Sequence, residues 1–167
     1  MPARKTAAPK TKGPKSDRPH MPGYGISESR KGILPWSWAK ERLEQNRNYW
    51  ISTIRPDGRP HAMPVWGVWH KDQLFFSTAI TSTKSCNLQA NPNCTATIES
   101  ATEAVIVEGV AKVVSGKAIL APVWKAYKQK YDWSIDGEKL FAITPTTVFA
   151  FIETAEQFGT AATRWRF

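Results

Sequence analysis

The chain has 167 residues, which is enough for one domain with a hydrophobic core but too few for two. Its formal net charge is +9, but residues 1–35 hold eight basic and two acidic residues, whereas the remaining chain holds 15 basic and 12 acidic residues. The body is therefore only mildly basic, which argues against a nucleic-acid partner for any part other than the basic tail.

Residues 1–35 contain six of the twelve prolines and show no hydrophobic period. Such a segment cannot bury enough apolar surface to offset the entropy of ordering, so we expect a disordered tail followed by one domain at residues 36–167. The tail either solubilises the protein or contacts nucleic acid or anionic lipid. It lacks the apolar core of a secretory signal, and no apolar run approaches membrane-spanning length. We therefore expect a cytoplasmic protein without a membrane partner.

The first predicted elements of the domain are a helix and a β-hairpin. Apolar residues at helical spacing predict a helix over residues 36–47. β-branched and aromatic residues predict strands over residues 49–55 and 59–70, and the sequence PDG at residues 56–58 is typical of a turn. The two strands should therefore pair as a hairpin.

The second strand of this hairpin has apolar side chains on both faces. Met63 and Val65 face one way, whereas Pro64 and Trp66 face the other. Pro64 has no N–H to donate, so we expect a neighbouring strand to be absent or displaced beside it, which would leave backbone open to a ligand. An ordinary edge or bulge proline is the alternative.

The rest of the domain is predicted to be mostly strands. The expected elements are a strand over 73–78, a short helix between Ser82 and Pro92, strands over 94–100 and 102–115, a helix over 117–131, strand pieces over 141–144 and 146–153, and a last strand or edge segment over 159–167. Gly109 predicts a bulge or bend, Pro122 marks a kink or the true start of its helix, and Pro145 splits the two strand pieces. About six strands, mostly linked as hairpins, predict a mainly β fold, namely an antiparallel closed β-barrel with short helices.

A polar loop follows the third strand. Hydroxyl side chains at Thr78, Thr81, Ser82 and Thr83 precede Lys84 at the start of the short helix. Free amides at a helix start, hydroxyls and an ammonium group together suit an anion such as a phosphate. A capped helix with a solvated lysine is the alternative.

Side chains suited to acid–base catalysis are scarce. His61 and His70 have no carboxylate at a recognisable spacing, and no nucleophile or metal-binding motif is present. The cysteines Cys86 and Cys94 lack the partners of a zinc site and are expected to be reduced thiols. We assign no catalytic residue and no metal. This composition fits an enzyme whose cofactor brings the reactive atom, and it also fits a simple binding protein.

Several segments together resemble a known family. The run YWISTIRPDGRPHAMPVWGVWHKDQLFFST, the following STKSCNLQANP, a strand containing VEGVA and the terminal TRWRF resemble the pyridoxamine 5′-phosphate oxidase-like split β-barrel proteins. The resemblance covers about residues 36–167 and is strongest to the branch that uses the deazaflavin coenzyme F420, with FMN-dependent members close by. It implies a six-stranded antiparallel split β-barrel that forms a homodimer with two cofactor sites at the subunit interface.

The resemblance also implies which residues hold the cofactor. The cofactor ring would lie along Met63, Pro64, Val65 and Trp66. The phosphate would lie among Thr78, Ser82, Thr83, Lys84 and Asn87. The partner subunit would contribute Trp165 and Arg166, with Arg164 as a further candidate.

Two departures from the family pattern bear on function. Many relatives have an arginine as well as a lysine in the phosphate loop, whereas this loop has Lys84 alone. The longer C-terminal substrate-binding region of pyridoxamine phosphate oxidases is also missing. The first departure indicates a weaker site, a different phosphate environment or a member that has lost its cofactor, and the second argues against vitamin B6 oxidation. The resemblance implies an F420-dependent oxidoreductase that transfers a hydride between the deazaflavin and a conjugated small organic substrate. The alternatives are an FMN-dependent reductase or oxidase and a non-catalytic flavin, deazaflavin or haem carrier.

Overall fold

A computed structural model describes residues 13–167 of the chain. Its helices are α1 (Trp36–Gln45), α2 (Thr83–Ala90), α3 (Lys117–Tyr131) and α4 (Phe158–Ala161). Its strands are β1 (Lys15–Asp17), β2 (Asn48–Ile54), β3 (Pro60–His70), β4 (Gln73–Phe76), β5 (Asn93–Ile98), β6 (Glu103–Val114), β7 (Leu140–Ile152) and β8 (Thr163–Arg166).

Six of these strands close into an antiparallel barrel. The pairing runs β7–β4–β3–β2–β5–β6 and returns from β6 to β7. The long strand β7 uses residues 141–143 to pair with β4 and residues 147–150 to pair with β8, which in turn pairs with β1. The predicted mainly β fold with a six-stranded antiparallel barrel is confirmed.

The barrel core follows from the alternation of side chains along each strand. In β2, Tyr49, Ile51 and Thr53 are buried, whereas Trp50 and Ile54 point outward. Burying an aliphatic or aromatic side chain of this size stabilises the fold by about 1.5–3 kcal/mol. A second apolar cluster forms outside the barrel where α3 packs on β3, β4 and β7. Helix α3 begins at Lys117, so Pro122 lies inside it and is not its start.

The prediction that Pro145 divides two strand pieces is wrong, because β7 runs through it without a break. The register with β6 shifts between Glu108 and Gly109, and Gly109 lies opposite Pro145. A Cβ atom on Gly109 would lie 2.4 Å from the carbonyl oxygen of Thr144. The irregularity predicted at Gly109 is thus confirmed, although the extra residue is Thr146 in β7. It provides the irregular ladder that a proline needs within a sheet.

The prediction of a disordered tail over residues 1–35 is wrong for residues 13–35, and residues 1–12 lie outside the described part. Strand β1 pairs with β8, so the tail segment extends the sheet of the domain. The Arg18 guanidinium donates hydrogen bonds to the carbonyl oxygens of Ser29, Lys31, Thr160 and Ala162. Composition could not reveal these contacts because they join residues up to 144 positions apart.

The predicted last strand over 159–167 is divided between α4 and β8. Within residues 13–167 no helix has both the length and the apolar character needed to cross a membrane.

Candidate functional site

The loop between β4 and α2 brings three of the predicted anion-binding side chains together. The hydroxyls of Thr78 and Ser82 lie 2.9 Å apart, and Lys84 Nζ donates to Thr78 Oγ1 over 3.1 Å. Ser82 is the N-cap of α2, where its Oγ accepts a hydrogen bond from the backbone N–H of Ser85. Thr78, Ser82 and Lys84 are hereafter the anion loop.

The anion loop is electropositive. The first turn of α2 contains no acidic residue, and the start of a helix carries a partial positive charge. Lys84 forms no salt bridge with any residue between 13 and 167. Thr83, the first residue of α2, has an exposed side chain beside the cluster. The loop therefore offers one full positive charge and several hydroxyl groups, which suits a phosphate.

Asn87 does not belong to this cluster, so the structure does not bring it together with the other residues that are predicted to hold the phosphate. Its side chain is 2 % exposed and donates from Nδ2 to Thr53 Oγ1 over 2.9 Å. Asn87 therefore joins α2 to β2 inside the protein.

Strand β3 has an open edge along its first half. On one side it pairs with β2 from Pro60 to Trp66, whereas on the other side it pairs with β4 only from Gly67 onward. No further strand of the described chain pairs with residues 60–66. A neighbouring strand is thus absent on one side of Pro64, as expected, and Pro64 is equally the edge proline of the alternative. Backbone groups on this edge remain free to bind a ligand.

The four residues predicted to contact the cofactor ring do not share one face. Val65 lies in the barrel core, so its side chain cannot contact a ligand outside the barrel. Met63, on the same side of the strand, is 45 % exposed. Trp66 points outward and stacks on Tyr131 with ring centroids 4.7 Å apart. A planar ligand could meet Met63, Pro64 and Trp66 together only along the open backbone edge.

Trp165 is not available to a second subunit, which corrects its predicted role. It is 1 % exposed, and its ring packs edge-on against Trp36 with centroids 5.4 Å apart. Arg166 remains at the surface, but it pairs with Asp17 over 2.8 Å. Arg164 pairs with the same carboxylate, and its hydrogen bond lowers the pKa of Asp17. The sequence prediction missed Asp17 because it assigned this residue to a disordered tail.

One half-buried polar group was not predicted. Lys130 Nζ donates to the carbonyl oxygen of Gly67 over 2.8 Å and to Tyr49 OH over 3.2 Å. Burial and, to a smaller extent, the nearby Arg47 together lower the pKa of Lys130 to about 8. The only feature of the sequence that could have indicated this role for Lys130 is its position next to Tyr131 in α3. Lys130 ties α3 to β2 and β3 next to the Trp66 stack.

Known proteins match this chain over the residues that form the barrel. The family model described as pyridoxamine 5′-phosphate oxidase matches residues 38–153, from α1 to just beyond β7. No curated protein sequence matches the chain significantly.

Solved structures share the fold at low sequence identity. A structure named F420 reductase has 20 % identity and a TM-score of 0.54, covering 65 % of this chain and 94 % of its own. A FAD-binding protein from Mesorhizobium loti has 18 % identity and a TM-score of 0.57, covering 80 % of this chain and 96 % of its own. The heme storage protein HutZ from Vibrio cholerae has 18 % identity and a TM-score of 0.55, covering 66 % of this chain and 90 % of its own.

Proposed function

Because the chain belongs to the pyridoxamine 5′-phosphate oxidase family, we propose that it is an oxidoreductase whose flavin-type cofactor binds between the anion loop and the open edge of β3. The observation that carries this proposal is the hydrogen-bonded cluster of Lys84, Thr78 and Ser82 at the start of α2. No carboxylate neutralises the lysine within the described residues, so the cluster is suited to an incoming phosphate.

We propose F420 as the cofactor and FMN as the alternative. FMN ends in a phosphate monoester, which carries a charge of about −1.5 to −2 at pH 7. F420 contains a phosphate diester, which carries a single negative charge. One lysine with hydroxyl donors and no arginine matches the singly charged group better. The similar structure named F420 reductase agrees with this choice at the level of the fold.

The residues of this chain would bind and orient the reactants. Lys84 and the hydroxyls of the anion loop would hold the phosphate, and backbone groups of β3 between residues 60 and 66 would hydrogen-bond to the polar edge of the ring. Met63 and Trp66 would limit where the ring lies. When bound, such a cofactor supplies the hydride chemistry, so the main task of the chain is to keep donor and acceptor carbons in close and correct geometry for a conjugated organic substrate.

The site in one chain is open to solvent, which supports a homodimer. Met63 and Trp66 are substantially exposed, and Trp50 and Ile54 add apolar surface to the outer face of β2 and β3. Contiguous exposed apolar side chains of this kind mark interaction surfaces. We propose that a second copy covers this face and completes the cofactor site, with Arg166 as the candidate residue from the partner.

A non-catalytic carrier is the second candidate. The favouring observation is that residues 13–167 place no histidine–carboxylate hydrogen bond and no cluster of potential metal ligands beside the anion loop. Such a carrier would use the same loop to hold a flavin or deazaflavin without turnover.

Titration of the full chain with F420 and with FMN, followed by quenching of tryptophan fluorescence, tests the proposal. We expect saturable binding of F420 and weaker binding of FMN. If the purified protein is yellow and shows flavin absorption, FMN replaces F420 as the proposed cofactor. If neither cofactor binds, the proposed function is refuted. Reduction of a conjugated substrate by the loaded protein separates the enzyme from the carrier.

A further inference from the structure

A short chain of buried hydrogen bonds connects α2 to the hairpin of β2 and β3. Asn87 Nδ2 donates to Thr53 Oγ1 over 2.9 Å, and Thr53 Oγ1 donates to the carbonyl oxygen of His61 over 3.3 Å. Thr53 and Asn87 are each 2 % exposed. The Thr53 hydroxyl thus serves as acceptor and donor at once, and its bond with Asn87 is buried.

Helix α2 has few other contacts that would fix its position. Its buried residues are Ser85, Asn87 and Leu88, of which only Leu88 belongs to the hydrophobic core. A single aliphatic side chain stabilises packing but imposes little direction, because the hydrophobic effect is non-directional. The hydrogen bond from Asn87 has a narrow geometry and therefore specifies where the helix lies along β2.

The two ends of this chain of hydrogen bonds lead to the two halves of the proposed cofactor site. Lys84 lies three residues before Asn87, less than one turn away on the same rigid helix. His61 lies on β3 two residues before Met63, within the open edge of residues 60–66. Apart from these hydrogen bonds, the position of α2 depends on the loop of residues 77–82, which connects it to β4.

We infer that Thr53 and Asn87 are positioning residues that set the distance between the anion loop and the open edge of β3. This inference rests on the proposed function. A cofactor with a ring at one end and a phosphate at the other must meet both halves at once, so a displacement of α2 along β2 reduces its affinity. Thr53 and Asn87 act through Lys84 and β3 and do not themselves contact the cofactor.

Replacement of Thr53 by valine and by serine provides the test. Thr53→Val keeps the shape but removes the hydroxyl, and we expect it to weaken F420 and FMN binding about 10-fold, as expected for coupled neighbours. Thr53→Ser keeps the hydroxyl and should retain affinity. Thr147→Val removes a hydroxyl from β7 and serves as the matched control. Hydrogen exchange of the amides in residues 83–90 should quicken only in Thr53→Val.

A double mutant separates positioning from general stability. In a Lys84→Ala background we expect Thr53→Val to have less than about a 2-fold effect on affinity, because the group that it positions is gone. An undiminished effect in that background, or unchanged affinity in Thr53→Val alone, would overturn the inference while leaving the proposed function intact. Failure of the unmodified protein to bind either cofactor would overturn both.

Discussion

Lys84 supplies the full positive charge of the anion loop, and no carboxylate in the described chain shares it. We expect Lys84→Ala to weaken cofactor binding by about 1.5–3 kcal/mol, the range for hydrogen bonds to charged groups. Calorimetric titration measures this loss. Lys125→Ala, on the exposed face of α3, is the matched control and should bind as the unmodified protein does. Unchanged affinity of Lys84→Ala for both cofactors would remove this lysine from the site.

Lys130 gives the fold a predictable pH dependence. Burial holds its pKa at about 8 in the folded protein, below the usual lysine value of 10.5. Between these pH values the unfolded chain binds more protons than the folded chain, so the contribution of Lys130 to the free energy of unfolding rises with pH. Above about pH 10 the trend reverses, because burial raises the pKa of Tyr131 to about 12 and the folded state resists its ionisation.

Thermal unfolding between about pH 8 and about pH 10 tests this expectation. The unmodified protein should gain stability relative to Lys130→Met as the pH rises. Lys128→Met, on the exposed side of the same helix turn, should show no pH-dependent difference. A constant difference between the unmodified protein and Lys130→Met would show that burial does not perturb this lysine.

Among the elements, the register shift between β6 and β7 carries a steric requirement at Gly109. A Cβ atom at Gly109 would come within 2.4 Å of the Thr144 carbonyl oxygen and 2.8 Å of Ile143 Cγ2. We expect Gly109→Ala to lower the free energy of unfolding by about 1–3 kcal/mol, as for other overpacked positions. Gly13→Ala is the control, because its Cβ would meet nothing within 4 Å. Urea denaturation with equal midpoints for both variants would contradict the close approach.

The segment before α1 and the segment after β7 stabilise each other through Arg18. Its guanidinium holds four carbonyl groups, two from each segment. Lysine cannot reproduce this planar fork, so we expect Arg18→Lys to accelerate hydrogen exchange in β1 and β8 while leaving β2 to β6 unchanged. Arg59→Lys, in the exposed β2–β3 turn, is the control. Uniform exchange across all strands in both variants would show that the two segments do not depend on Arg18.

Local patterns in the sequence could predict most elements and only part of the site. The predicted bounds of α3 coincide with the observed ones, and the anion loop was predictable because its members lie within six residues of each other. The continuity of β7 was not predictable, since it depends on Gly109 in another strand. The burial of Trp165 and the inward direction of Asn87 likewise depend on tertiary packing, which periodicity does not encode.

At the scale of the whole molecule, the outer face of β2 and β3 determines assembly in our proposal. Trp50 lies opposite Pro64 on this face and is 45 % exposed. We expect Trp50→Glu to produce a monomer in sedimentation experiments and to lose cofactor affinity, because a charge on a covered apolar face is unfavourable. Trp133→Glu changes another exposed tryptophan, beyond α3, and should remain dimeric. An unchanged sedimentation coefficient for Trp50→Glu would place any subunit interface elsewhere.

The open edge of β3 also bears on solubility. An unpaired strand edge is a template on which other chains can add, and this one carries exposed apolar side chains. Two of its seven residues, Pro60 and Pro64, lack the N–H that an added strand would need. The same prolines that keep β4 away from this stretch therefore protect it against edge-to-edge aggregation, so the strand can stay free for a ligand without recruiting a stray β-strand in its place.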